Sequence, residues 1–114
     1  METTLKYQVI YSEEVDAFLN SLDKKAKTKI LYNIHLVASG HIDKELFKKL
    51  DNDIWEFRTL HNGISYRIFA FWDNDAQALI ITTHGFIKKT QKTPKKEKDK
   101  AIEIRKEYFR QKQK

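Results

Sequence analysis

The residues with the most chemical potential fall in three short stretches: Glu56 with Arg58, then Arg67, then His84 through Lys92. The last reads His84-Gly-Phe-Ile-Lys-Lys-Thr-Gln-Lys-Thr-Pro94 and contains no acid. A strand end that delivers Lys88, Lys89 and Lys92, with Thr90, Gln91 and Thr93 as neutral donors, suits phosphate oxygens; a solvated charged connection is the plainer reading. In Ile54-Trp-Glu-Phe-Arg58, Glu56 and Arg58 alternate with Trp55 and Phe57, so the charged pair faces away from wherever the aromatics pack. Arg67 alternates with Tyr66 and Ile68, and a hairpin would set it on the strand beside Arg58 if the parities agree. The plain reading of Glu56 is a cross-strand salt bridge to an arginine. An arginine inside a strand rich in Ile and Phe asks for a further reason. His84 titrates near neutrality and is a candidate general acid or base, although a lone histidine is more often a packed structural residue.

This set suits cleavage of an RNA phosphodiester. The reaction needs positive charge on the non-bridging oxygens, deprotonation of a 2′-OH and protonation of the leaving 5′-oxygen. Arg58, Arg67, Lys88 and Lys89 supply the charge, His84 or Glu56 would move protons, and Tyr66 or an aromatic of the last helix could stack on a base. No cofactor is required. His35, His41 and His61 have no constellation around them and form no metal-ligand spacing, and zincin, nucleophile-elbow, P-loop and dinucleotide fingerprints are missing, so no metal is expected.

At 114 residues the chain predicts one domain, 1–114, and 40% hydrophobic and 12% aromatic residues are enough to fold it. It has no cysteine, which excludes disulfides and thiolate chemistry and fits a reducing compartment. The N-terminus lacks a signal-peptide pattern and no stretch approaches a membrane span, so a cytoplasmic protein with no membrane partner is expected. The net charge of +6 is unevenly placed. From residue 87 onward twelve Lys and Arg stand against four Asp and Glu, while the remainder is slightly acidic. Such asymmetry points to a nucleic-acid or acidic partner, or simply to a soluble basic tail.

The elements that must position these residues follow from periodicity. Residues 6–11 read as a short strand with Tyr7, Val9 and Tyr11 on one side. Ser12 caps a helix carrying Val15, Phe18, Leu19 and Leu22 at helical spacing. A second helix from about Asp23 buries Ile30, Leu31, Ile34, Val37 and Ala38 and stops at Ser39-Gly40. Lys24, Lys25, Lys27 and Lys29 at its start read as a solvated face. Residues 41–53 are less regular, with Leu46, Phe47 and Leu50 fitting one or two helical turns. Strands over 54–60 and 64–72 are joined at Asn62-Gly63, a tight-hairpin signal, and a further strand runs over 77–86. Thr93 as N-cap with Pro94 in the first helical position opens a last helix bearing Ala101, Ile104 and Tyr108. The fold class is α+β: a small antiparallel sheet of about four strands, two N-terminal helices on one face and a C-terminal helix. The second face is left incompletely covered and reads as the binding surface.

Taken together, Lys49-Leu50, Ile54-Trp-Glu-Phe-Arg58, Tyr66-Arg-Ile68, His84-Gly-Phe-Ile-Lys-Lys-Thr90, Thr93-Pro94 and Ala101 resemble the RelE/ParE superfamily of type II toxins, most closely its HigB-like, phage-derived branch. The resemblance covers nearly the whole chain in order and spacing. It implies ribosome-dependent cleavage of mRNA and neutralisation by a helix-turn-helix, HigA-like antitoxin. By motif position it makes Glu56, Arg58, Arg67, Lys88 and Lys89 functional candidates, with His84 matching as a position. Members often use a tyrosine near the C-terminus, for which Tyr108 is the candidate here. Two other readings stay open: a ParE-like inhibitor of DNA gyrase that cleaves nothing, and a basic RNA-binding module.

Overall fold

Side-chain caps decide where the first two helices begin. The Ser12 hydroxyl oxygen accepts from the Val15 N–H at 3.0 Å, and Glu13, Glu14 and Asp16 fill the first turn, where acids complement the helix dipole. Asp23 caps the second helix by accepting from the Ala26 N–H at 2.8 Å. Gly40, at φ 107°, ends it in a conformation that L side chains resist. The computed structural model describes residues 5–74 and 79–113. Its elements are β1 (Gln8–Ile10), α1 (Glu13–Asn20), α2 (Lys24–Ala38), β2 (Phe47–Lys49), β3 (Trp55–His61), β4 (Ile64–Asp73), β5 (Leu79–Lys88) and α3 (Lys95–Lys112).

The strands form one sheet in the order β1-β5-β4-β3-β2, mixed rather than wholly antiparallel, with five strands instead of about four. β1 lies at one edge of the sheet and, against the expected antiparallel arrangement, runs parallel to β5. The Thr82 hydroxyl fixes it there by donating to the Ile10 carbonyl at 2.8 Å and accepting from the Ser12 N–H at 3.0 Å. Residues 47–49, expected to be helical, pair with β3 instead. The reason is aromatic: Phe47 stacks on Phe57 and Trp55 at centroid distances of 4.4 and 4.8 Å. The β3–β4 hairpin turns at Asn62 (φ 51°) and Gly63 (φ 76°), both left-handed as the tight turn requires. Gln77 and Ala78, at the expected start of the last strand, and Asp75 of the preceding turn lie outside the described residues.

Both faces of the sheet carry apolar clusters. Val15, Leu19, Ile30, Ile34 and Val37 of the first two helices pack on Phe57, Tyr66, Ile68, Ala70 and Ile80. On the second face Phe69, Phe71, Ile81 and Phe86 pack with Ala101 of α3. That face is therefore not open along its whole length. α3 covers the end near Asp73 and is held there by polar ties: Tyr108 O–H and Lys112 Nζ donate to the buried Asp73, Lys98 pairs with Asp51 at 3.0 Å and Arg105 with Asp53 at 3.7 Å. The helix opens one residue later than expected. Pro94 is its N-cap, extended at ψ 131°, and Thr93 is not the cap.

A β-bulge controls what β5 presents. Ile68 pairs with Gly85 but Ala70 with Thr82, so Thr83 and His84 together oppose Phe69. The extra residue reverses the alternation, turning His84, Phe86 and Lys88 toward the α3 face and Gly85 toward α1. There the Phe18 ring occupies the space that a Cβ on Gly85 would need, with Cδ2 only 2.4 Å from it. Gly85→Ala is expected to destabilise the protein by about 1–3 kcal/mol through overpacking. Urea denaturation checks this, and Phe18→Ala in the same chain should recover part of the loss.

Candidate functional site

At the end of the second face that α3 leaves uncovered, the strand register assembles a charged row. Arg58 and Arg67 are direct cross-strand partners on β3 and β4, and Lys48 of β2 lies opposite Glu56 of β3. Lys88 of β5 pairs with Ser65, two residues along β4 from Arg67 on the same face. Four cations from four strands thus surround one carboxylate. Like charges placed directly across a sheet repel, and Glu56 relieves this. Its Oε1 lies 3.5 Å from the Nε of both Arg58 and Arg67.

Burial separates the roles. Glu56 is 2% exposed and Arg67 7%, whereas the Arg58 side chain is 26% exposed and Lys48 stands in solvent. Arg67 donates from Nη1 to the Tyr66 carbonyl at 3.1 Å, and Arg58 Nη1 donates to the Lys44 carbonyl at 3.2 Å. Glu56 Oε2 is buried without a hydrogen-bond partner among the described residues. Burial holds the Arg67 guanidinium below its ordinary pKa, against the pull of Glu56. Lys88 is lowered as well, by burial first and then by the Arg67 guanidinium, with Arg58 and Lys48 adding to the effect and Glu56 opposing it. The result is a cationic cluster of chemistry suited to an anion, with two guanidinium groups and one ammonium whose proton is held less tightly than usual.

Of the residues singled out in the sequence, Glu56, Arg58, Arg67 and Lys88 meet here. Lys89 adjoins them, beside Lys88 on a groove with Ile64 and Ser65. Lys92 is exposed in the connection between β5 and α3. Lys48 was missed as a site residue, and only the register of β2 could have found it.

His84 and Tyr108 lie elsewhere. His84 is four residues from Lys88, about 13 Å along the strand. It is 3% exposed under α3, its Nε2 3.2 Å from Glu97 Oε1 and its ring against Phe69 and Phe86. Tyr108 packs edge-on to Phe71 and donates to Asp73, which lies six residues, roughly 20 Å, along β4 from Arg67. Both tie α3 to the sheet.

Burial, assisted by Lys100, lowers the His84 pKa, with Glu97 pulling the other way. The unfolded chain therefore takes up this proton at a higher pH than the folded one, so His84 reduces stability as pH falls below about 6.5. The expected result is a lower urea midpoint in mild acid, and a flatter dependence in His84→Gln.

No group of His, Asp and Glu able to hold a metal occurs among the described residues, and none of their helices is long and apolar enough to cross a membrane. Three helices on a five-stranded mixed sheet form a small α+β fold, broadly consistent with that of a small toxin. Residues 17–106 match the family described as Phage derived protein Gp49-like (DUF891). The chain belongs to that family, which is of the RelE-like toxin type. Among curated proteins nothing matches.

Proposed function

We propose that this protein is the HigB-like toxin of a type II toxin–antitoxin pair, a ribosome-dependent endoribonuclease that cuts mRNA during translation in the cytoplasm. The observation that carries the reading is the register pairing of Arg58 with Arg67 over one buried carboxylate, with Lys88 and Lys48 on the same uncovered face. Family membership supports it. In this reading the two guanidinium groups hold the non-bridging oxygens of the scissile phosphate and stabilise the charge that develops as the 2′-oxygen attacks. Glu56 orients both and does not itself need to move a proton. The attacking 2′-OH gives up its proton to solvent water, and Lys88, with its lowered pKa, gives the leaving 5′-oxygen its proton. Lys89 and Lys92 hold flanking phosphates. The neutralising partner is a helix-turn-helix, HigA-like antitoxin.

The test is to incubate purified protein with a message, free or on programmed ribosomes. Cleavage confined to the ribosome-bound message is expected; an intact message in both would refute the reading. The proton assignment has its own check. If the Lys88 ammonium is the acid, cleavage falls at alkaline pH, starting below the ordinary lysine range. Lys88→Arg, which keeps charge but holds its proton, should lose that limb and most of the rate.

A further inference from the structure

A second basic surface lies on the helix-bearing side of the sheet. Lys24, Lys25, Thr28, Lys29 and Tyr32 of α2, with His61 at the end of β3, line a groove of about 600 Å³. No carboxylate lines it. Lys24, Lys25 and Lys29 are exposed and make no ion pair among the described residues, whereas Lys27 turns away to donate to Asn20 at 2.6 Å. Lysines crowded into the first turns of a helix oppose its dipole, and beyond the Asp23 cap α2 has no acid in its first turn to offset three of them. Helix stability does not account for them.

The lining has two parts. Lysine stems and the Tyr32 ring make an apolar floor, and the ammonium groups form its rim. Tyr32 is 54% exposed, and Lys29 Nζ sits 5.6 Å from its ring centroid. A large aromatic ring left in solvent beside cations is the arrangement that stacks a base while the neighbouring charges take its phosphates. The groove shares the β3 strand with the arginine row. His61 is three residues from Arg58 on β3, about 10 Å along the strand, with the row on the opposite face.

We propose that this groove is a second contact for single-stranded RNA, in which Tyr32 stacks on a base and Lys24, Lys25 and Lys29 hold flanking phosphates. The choice of RNA over DNA rests on the proposed function; the polyanion chemistry rests on the groove alone. The surface binds and cuts nothing, so it adds affinity and orientation to whatever the arginine row does.

The probe is a fluorescent twelve-nucleotide oligouridylate, titrated by anisotropy across a range of salt. Tyr32→Ala should weaken binding by about 5- to 150-fold, the effect of losing one stacked base. The triple variant Lys24→Gln, Lys25→Gln, Lys29→Gln should flatten the dependence of log K on log salt by about 2, for three phosphate contacts on a single strand. All four positions are exposed, and circular dichroism is the check that each variant folds. Unchanged affinity in Tyr32→Ala together with an unchanged slope in the triple variant would overturn the proposal. So would a flattened slope with no effect of Tyr32→Ala, which would leave the lysines as phosphate contacts with no base stacked beside them. An oligothymidylate bound as tightly as the RNA would reassign the groove to DNA and overturn the RNA claim. Because the readout is binding, failure of the wild-type protein to cut a message counts against the proposed function alone.

Discussion

Arg67→Ala is expected to reduce RNA cleavage by about 100- to 1000-fold, the usual effect of removing one donor that stabilises transition-state charge. Arg67 is the arginine most firmly held in the row. It is nearly buried, its Nη1 donates to the Tyr66 carbonyl, and its Nε lies against Glu56. Donors fixed in this way need no reorganisation when charge develops, which is where such groups have their effect. The substitution also leaves Glu56 with only Arg58, so loss of activity has to be separated from loss of folding. Arg58→Ala separates the two, because that side chain is partly exposed and its removal disturbs the interior less. Both variants should fold, by thermal denaturation, and both should fail in single-turnover cleavage. Cleavage by folded Arg67→Ala within about tenfold of wild type would remove Arg67 from the site.

The second large effect concerns stability. Glu56→Ala is expected to cost about 3 kcal/mol, the low end for breaking a buried ion pair, since Arg58 retains access to water. Without the carboxylate, Arg58 and Arg67 face each other directly across the β3–β4 ladder as like charges. The readout is the urea midpoint at constant slope. The double variant Glu56→Leu with Arg67→Met should recover most of the stability, since apolar replacements of a buried pair are often neutral or better. It should also be inactive, which would assign the buried charges to function and not to folding. A loss below about 1 kcal/mol in Glu56→Ala would mean that the row is solvated and carries ordinary surface pairs.

Local signals made much of this legible. Ser12, Asp23 and Gly40 mark helix ends through side-chain hydrogen bonds or backbone freedom confined to a few residues, and Asn62-Gly63 sets the hairpin register. That register fixes the encounter of Arg58 with Arg67, and the Trp55/Phe57 alternation fixes their face. What local pattern could not carry was decided over distance. Leu46, Phe47 and Leu50 fit a helical turn, and the stacking of Phe47 on Phe57 and Trp55 makes their segment a strand. That strand brings Lys48 to the site.

The bulge at Thr83–His84 is the sharper case. Plain alternation along β5 would place residues of one parity on one face throughout, and Lys88 would then point away from Arg67. The bulge is visible only as a register shift against β4. The sequence likewise leaves the second face incompletely covered. Ala101 and Tyr108 of α3, through their contacts with Phe71 and Asp73, show the helix covering the Asp73 end of that face, which leaves the other end as the candidate site.

The most direct test of the central claim is mapping of transcript 5′ ends after a short induction, for wild type and Arg67→Ala in parallel. New ends within translated frames that vanish in the variant are expected of a ribosome-dependent RNase working through the arginine row. Arrested growth with intact transcripts would contradict it and turn attention to a non-catalytic inhibitor.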